Sequence, residues 1–442
     1  MTIRMDEGAA ELLDTLHRAG YAAYVVGGCV RDSLLGLTPH DWDLCTSALP
    51  QQVMELFGAQ RCIPTGLQHG TVTVKQSGAL YEITTFRTEG TYTDGRHPDE
   101  VHFVPDVRED LARRDLTINA MAYNEKEGLV DPFGGQADLQ SGILRAVGVP
   151  HQRFTEDALR ILRLYRFAAR FGFSIDPPTA QAAQELCAHL DCVSVERIEE
   201  ELAKLLSAPA PAAYLDEKIL GVVLRELSPE ALAAAKPVVD ACPAGEQALP
   251  VRLAALLLSL GEDGTRRTLR RLRCSNACIE ETAVLVREAV PGVPGAFSSD
   301  TNRAIPSPAL LPAATGSHPS GRSSEKLPAR PPVFLNIYTR KLLGQYGLKT
   351  VQRLAALGTA LQPEHAADFA ALSELAERLD ADGVCCRVSQ LAVNGRDLMA
   401  AGVPAGPGIR KMLEALLDGV IREEYPNERQ ALLAAVQQLA AS

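Results

Sequence analysis

Two aspartates separated by one residue, in Asp41-Trp42-Asp43, are the first candidates for chemistry. Residues 41–46 read as a strand, and in a strand residues i and i+2 share a face. Carboxylates held side by side repel unless a cation lies between them, and hard oxygen ligands at this spacing suit Mg²⁺. Alone, the tripeptide also describes a solvated acidic strand face. Upstream lies Val26-Gly27-Gly28-Cys29-Val30-Arg31-Asp32. An apolar run ends there, two glycines let another group approach the backbone, and a short helix pattern over 30–35 carries Arg31 on its first turn. Free N–H groups and a guanidinium together form a phosphate cradle. A plain glycine turn with a surface arginine reads the same way. Joined to a metal pair, the segment becomes a nucleoside triphosphate site.

Two further segments place charge where apolar residues dominate. In Leu111-Ala112-Arg113-Arg114-Asp115-Leu116-Thr117-Ile118-Asn119-Ala120, polar residues interrupt an apolar helix pattern. Either the charges bridge at i,i+3, or Arg114 meets a nucleotide while Asp115 positions ribose or neighbouring arginines. In Glu156-Asp157-Ala158-Leu159-Arg160-Ile161-Leu162-Arg163-Leu164-Tyr165-Arg166, a helix makes Asp157 and Arg160 i,i+3 neighbours. Arg160, Arg163 and Arg166 then form a slowly rotating stripe. Residues 153–170 hold 5 Arg against 2 acids, a local excess of 3 positive charges. Most residues between these arginines are apolar, and buried charge is costly unless paired. The stripe therefore calls for salt-bridge partners in the core or for an anionic, hydrogen-bonding ligand.

These residues need a scaffold. Up to residue 145, short strand and helix signals mix. Strands are expected over 21–26, 41–46, 71–75, 79–87 and 101–104, with Ser77-Gly78 as a hairpin turn. Ser47 is expected to cap a helix running through Phe57. Beyond 150 the helix signals run on, first over 155–171, 178–190, 195–207 and 210–227, and finally to 439. Residues 291–332 break the series with 9 Pro, 7 Ser and 4 Gly, the composition of a disordered insertion or linker.

The chain of 442 residues carries 44 basic and 55 acidic side chains, a net charge of −11. That balance argues against indiscriminate coating of DNA or anionic membranes. It leaves room for local basic patches, such as Arg266, Arg267, Arg270, Arg271 and Arg273, or Arg340, Lys341, Lys349 and Arg353. Either set is a solvated helix face or a grip on RNA phosphates. No run of 18 apolar residues occurs, and the N-terminus carries Asp6, Glu7 and Glu11 without an apolar stretch, so neither a membrane span nor a signal peptide is expected. The ten cysteines include no C-x-x-C and read as reduced cytoplasmic thiols.

Taken together and in this order, the segments resemble the class II tRNA nucleotidyltransferase/poly(A) polymerase family, and within it the bacterial CCA-adding enzymes. The resemblance rests on Gly27 to Asp32, on Asp41-Trp42-Asp43, on Arg113 to Ala122, on Asp131-Pro132-Phe133-Gly134-Gly135 and on Glu156 to Arg166. It is strong over about residues 20–210. Further on it is carried only by Asn394-Gly395-Arg396-Asp397-Leu398 and Gly406-Pro407-Gly408, and the insertion departs from the family pattern. The implied fold is an α+β nucleotidyltransferase head with a small mixed sheet, residues 1–145, followed by an all-α remainder. That remainder would be a nucleotide-reading neck (146–210), a body (211–370) and a tRNA-binding tail (371–442).

The resemblance implies that Asp41 and Asp43 hold two Mg²⁺ ions, with Glu82 as candidate third carboxylate. Gly28 and Arg31 would contact the triphosphate, and Arg114 would add a donor. Asp157 and Arg160 would read the incoming base, with Arg163 and Arg166 in support. A carboxylate accepts and a guanidinium donates, which matches the exocyclic amine and ring nitrogen of cytosine or adenine. Uracil and guanine oppose the carboxylate with a carbonyl oxygen and are rejected. The loop over 87–99, with Gly90 and Gly95, would act as a lever in the switch from C to A addition. The implied partners are tRNA, CTP and ATP, with no DNA and no membrane. A poly(A) polymerase or a partial CC- or A-adding enzyme is the alternative, and a non-catalytic RNA-binding protein a remote one.

Overall fold

The computed structural model describes residues 3–90, 100–289 and 333–441. The chain divides into two compact units. The first comprises residues 1–236 with 244–246 and 270–274, and the second comprises the remainder.

The first unit begins with α1 (Glu7–Arg18), β1 (Ala23–Val26), α2 (Gly28–Leu34), β2 (Leu44–Thr46) and α3 (Pro50–Phe57). Strands β3 (Cys62–Gly66), β4 (Thr71–Gln76), β5 (Ala79–Thr85), β6 (Arg87–Glu89) and β7 (Val101–Phe103) follow. Then come α4 (Val107–Ala112), β8 (Ala122–Asn124), β9 (Gly128–Val130), α5 (Gly135–Ser141) and β10 (Ile143–Leu144). The helical part of this unit holds α6 (Pro150–Glu156), α7 (Leu159–Phe171), the short β11 (Ser174–Ile175), α8 (Pro177–Leu186), α9 (Val195–Leu206) and α10 (Glu217–Val223).

Seven strands form one mixed sheet in the order β3-β4-β5-β2-β1-β8-β9. Within this sheet, among the described residues, only β2 and β5 pair in parallel, with Leu44 opposite Ile83. Tyr24, Val26, Cys45, Phe86, Leu111, Ala120 and Ala122 pack into one core cluster, so α4 covers that face of the sheet. On the opposite face α1 approaches β5 so closely that a Cβ on Gly8 would meet the Tyr81 hydroxyl. The α+β head and helical remainder expected from the sequence are both present.

Several boundaries differ from the sequence reading. The strand expected over 41–46 starts only at Leu44, and Asp41 to Asp43 lead into it. Its ladder nonetheless reaches back one residue, because Val26 N–H donates to the Asp43 carbonyl at 2.9 Å. Ser47 does not cap α3. Its hydroxyl accepts from Ala22 N–H at 3.0 Å, and the Gln52 side chain takes the Leu49 N–H at 2.8 Å instead. The helix expected over 155–171 is two helices. Asp157 between them is extended, at φ −147° and ψ 105°. The apolar pattern from Leu111 is helical only to Ala112. Of the pattern over 210–227, α10 alone is α-helical, because the prolines at 209 and 211 delay its start. The insertion over 291–332 and residues 91–99 of the lever loop lie outside the described residues.

The chain continues with α11 (Pro229–Ala241), α12 (Leu249–Leu257), α13 (Gly261–Arg271), α14 (Asn276–Ala289), α15 (Val333–Tyr346), α16 (Leu348–Leu361) and α17 (Ala366–Ala381). It ends with α18 (Gly395–Ala400), α19 (Pro407–Ile421) and α20 (Arg429–Ala441). Leu398, Leu416, Val420, Leu432 and Val436 form the core where these last three meet. All ten cysteines are free thiols. Among the described residues no helix is long and apolar enough to cross a membrane.

The β4–β5 hairpin turns as expected through Ser77 at φ 49° and Gly78 at φ 85°, both left-handed. Nothing lies within 4 Å of a Cβ placed on Gly78, so a substitution there reports backbone strain alone. Gly78→Ala should lower unfolding free energy by about 1 kcal/mol without loss of activity, measured by urea denaturation of both proteins.

Candidate active site

The site forms where β1 ends. Gly27 has φ 79° and donates its N–H to the Met121 carbonyl at 3.1 Å. Only glycine fits comfortably: the conformation is left-handed, and a Cβ there would come within 2.9 Å of Arg114 Nη1. Beside it, a Cβ on Gly28 would lie 3.6 Å from Arg31 Nη2. One guanidinium therefore flanks each glycine of the turn.

The carboxylates stand next to this turn. The β2–β5 register, Leu44 opposite Ile83, sets Asp43 beside Glu82 on the neighbouring strand. Asp43 has its pKa raised, first by burial and then by the charges of Glu82 and Asp41, while Arg114 opposes the shift. Three acidic groups thus share one field with one guanidinium, a donor set with surplus negative charge. Among the described residues no three His, Cys, Asp or Glu side chains form a closed metal cage. A Mg²⁺ ion does not need one, since it keeps waters and takes phosphate oxygens beside one or two carboxylates. The residues present fit such an ion.

Arg113, Arg114 and Asp115 follow α4 in a turn and point to different places. Asp110, fully buried, takes Arg113 at 2.9 Å and Arg114 at 3.5 Å. Arg114 extends to Gly27, and Asp115 turns to α7. There Arg163 places Nε and Nη2 at 2.8 and 2.7 Å from Asp115 Oδ2. Burial would raise the pKa of Asp115, yet Arg163, Asn119 and Arg160 outweigh it and hold the carboxyl well below the usual range. The same contact raises the pKa of Arg163.

Arg31 is 4 % exposed. Its Nε donates to Asp32 Oδ1 at 2.8 Å, its Nη2 meets the same oxygen at 2.7 Å, and its Nη1 donates to Asn119 Oδ1 at 2.5 Å. Burial lowers its pKa. These bonds leave one N–H on each terminal nitrogen for another acceptor.

The helix break at Asp157 separates two residues expected to be i,i+3 helix neighbours. Asp157 pairs with Arg197 of α9, with Nη2 to Oδ2 at 2.7 Å and Nη1 to Oδ1 at 3.3 Å. Its Oδ1 also accepts the Leu159 N–H at 3.0 Å. Arg160 donates to Glu156 at 2.7 Å, to the Arg113 carbonyl at 3.1 Å and to the Arg153 carbonyl at 3.4 Å. Arg166 stands 2.9 Å from the buried Glu201, and burial pulls its pKa down to about 10. The structure gathers Asp41, Asp43, Glu82, Gly28, Arg31 and Arg114 around the end of β1, and Asp157, Arg160, Arg163 and Arg166 at the start of α7 and along it. The turn from Arg113 to Asp115 joins the two sets.

Sequence reasoning missed Asp110, Arg197 and Glu201. Each left a signal. Asp110 precedes Arg113 and Arg114 by three and four residues. Glu201 falls on the buried stripe of α9 with Ile198, Leu202 and Leu205, where a carboxylate needs a partner.

A family model described as the poly A polymerase head domain matches residues 23–145. A probable RNA- and SrmB-binding site of polymerase A matches 172–229, and a putative tRNA nucleotidyltransferase domain 2 matches 338–436. The CCA-adding enzyme of Lactiplantibacillus plantarum is 34% identical over 97% of this chain and 95% of its own length. That of Geobacillus thermodenitrificans is 35% identical over 96% and 95%. The chain belongs to the CCA-adding enzyme family. Among solved structures, the Bacillus stearothermophilus CCA-adding enzyme in complex with CTP superposes with a TM-score of 0.75, at 29% identity over 99% of this chain and 98% of that one.

The family's three domain models leave residues 230–337 unmatched. One basic cluster lies in this stretch, and much of it serves the fold. Arg266 pairs with Glu262 at 3.0 Å, and Arg271 pairs with Glu226 at 2.6 Å. In the second cluster, Arg340 is buried against the carbonyls of Ile421 and Cys385, and Lys341 meets Asp418 at 2.7 Å. Arg267, Arg270 and Lys349 remain exposed.

The Asp115 contact makes a pH prediction. A carboxyl whose folded pKa is depressed contributes stability that is present above its unfolded value and lost as pH falls towards the folded value. Asp115→Asn should cost roughly 3 kcal/mol near neutrality, as expected for breaking a buried pair. The deficit should shrink as pH drops below 3.8, the ordinary aspartate value. Denaturation midpoints of both proteins from pH 7 to pH 2.5 measure this.

Proposed function

We propose that the protein adds or repairs the 3′-terminal CCA of tRNA from CTP and ATP, without a nucleic-acid template and with release of pyrophosphate. The observation that carries this reading is the double glycine flanked by Arg31 and Arg114, set beside Asp41, Asp43 and Glu82, with one short turn leading to the arginines of α7. Membership in the CCA-adding family supports it.

On this reading the glycine turn admits the triphosphate against the backbone, and the two guanidiniums neutralise its charge. Asp41 and Asp43 would hold Mg²⁺, with Glu82 adding negative charge beside them. The bound ion supplies an activated 3′-hydroxyl and a stabilised leaving pyrophosphate. Asp157 reads the base. Its Oδ1 already accepts two N–H donors, whereas Oδ2 has a lone pair left for the exocyclic amine of cytosine or adenine. Arg160 turns a donor to the ring nitrogen by giving up its longest bond, the one to the Arg153 carbonyl at 3.4 Å. Arg163 and Arg166 hold α7 against the turn and against Glu201. Uracil or guanine would leave Asp157 facing an oxygen, a mismatch worth several orders of magnitude in a polar site.

Residues 1–145 act as the catalytic head and 146–210 as the reading neck. The body over 211–370 and the tail over 371–442 carry the tRNA. The working compartment is the cytoplasm, where tRNA and nucleotides meet.

A tRNA transcript lacking CCA, incubated with Mg²⁺ and with each nucleotide separately and together, tests the reading. CTP alone should add two residues, and CTP with ATP should complete CCA. Long runs of A without C would overturn it in favour of a poly(A) polymerase. Asp41→Ala should reduce incorporation by about a thousandfold or more while tRNA binding in a filter assay stays near wild type. Arg160→Ala should lower the preference for CTP over UTP by about a hundredfold, read as the ratio of kcat/KM values.

A further inference from the structure

Phe167 lies on α7 between the two halves of the nucleotide site. It is 4 % exposed, and three guanidinium groups face its ring. Arg166 lies 4.0 Å from the ring centroid, Arg31 5.0 Å and Arg163 5.6 Å. Arg31 belongs to the glycine turn of the head, and the other two belong to the arginine stripe of the neck. Phe171 stacks beside Phe167 at 6.0 Å and takes Arg31 on its own ring at 5.1 Å.

A polar path joins the same two ends. Arg31 donates to Asn119 Oδ1, Asn119 Nδ2 donates to Asp115 Oδ1 at 3.1 Å, and Asp115 Oδ2 receives Arg163. The circuit is therefore closed, through hydrogen bonds on the head side and through an aromatic face on the α7 side. Crowding three cations round one buried side chain is costly unless negative potential offsets it. Asp32, Asp115 and Glu201 supply part of that potential from the edges, and the π face of Phe167 supplies more from the middle. An aliphatic side chain of similar size would fill the space and supply none.

We infer that Phe167 is a positioning residue, whose ring fixes Arg31 beside the glycine turn in register with Arg163 and Arg166, the arginines that hold α7 in place. This rests on the reading of Arg31 as a triphosphate contact. Grip on the triphosphate then depends on an aromatic side chain that touches no nucleotide atom.

The test compares Phe167→Leu, Phe167→Tyr and Arg31→Gln in the full-length protein. Inorganic triphosphate serves as a competitive inhibitor that has no base to read. Phe167→Leu should raise KM for CTP and for ATP by the same factor, about three- to tenfold, with kcat changing less. The inhibition constant for inorganic triphosphate should rise by that factor too. Phe167→Tyr, which keeps the π face, should stay within about twofold of wild type. Phe167→Leu should add little to Arg31→Gln in the double variant. If Phe167→Leu does not fold, as judged by circular dichroism, Phe167→Met makes the same comparison. A folded Leu or Met variant with wild-type KM and wild-type triphosphate inhibition overturns the inference, as does a Tyr variant as damaged as the Leu one. Should Arg31→Gln itself leave triphosphate inhibition unchanged, the assignment of Arg31 fails as well, and that result is distinct from the first.

Discussion

A buried carboxylate that stays ionised organises the first unit. Asp115 has little access to water and is held charged by Arg163 from a helix that begins more than forty residues later in the chain. Removing either member would leave an uncompensated charge in a low-dielectric interior, so the two segments are obliged to meet. Everything near them inherits that constraint. Arg114 can reach Gly27 because its neighbour Asp115 is pinned, and Arg160 finds the Arg113 carbonyl from the other side. The turn that carries three consecutive charged residues is thus held by ion pairs between the buried Leu111 and Leu116.

The same economy recurs along the site. Arginines outnumber the acids on α7 itself, yet the surrounding elements bring in Asp32, Asp115 and Glu201 to balance them. Asn119 illustrates why residue type matters here. An amide can accept from a guanidinium with one atom while donating to a carboxylate with the other, and no charged side chain does both. The outcome is a proposed nucleotide site whose donors are oriented in advance by ion pairs, which is how electrostatic complementarity is made effective.

Much of this was legible from the sequence, because the candidate site residues violate the apolar patterns around them. Asp41, Asp43, the double glycine and the arginine stripe all stood out in that way, and the β4–β5 hairpin was announced by Ser77-Gly78. Local competition hid the rest. Ser47 is a good capping residue by type, but its hydroxyl is claimed by Ala22 across the sheet, which leaves Gln52 to serve the helix. Asp157 interrupts a helix that periodicity alone carries straight through, since its side chain bonds the Leu159 N–H and Arg197 rather than its helical neighbours. Partners far apart in the chain, such as Arg31 and Asn119 or Asp157 and Arg197, leave no spacing for a local pattern to detect. The parallel pairing of β2 with β5 belongs to the same class.

The sheet order also has a meaning for biosynthesis. Strand β1 lies inside the sheet, between β2 and β8, and pairs with β8 through Val25 opposite Tyr123. Its Tyr24 hydroxyl donates to Glu127, which is made later still. A chain emerging from the ribosome N-terminus first must therefore carry an open edge on β1 for about a hundred residues of synthesis. Closing that edge needs contacts of long sequence separation, the slow kind. The aromatic pin beneath Arg31 arrives later again, with α7, and Arg197 and Glu201, the partners of Asp157 and Arg166, follow with α9. The nucleotide site is thus completed well after its first glycine has left the exit tunnel, and an abortive chain ending within the head carries the glycine turn without the helix that holds Arg31 beside it.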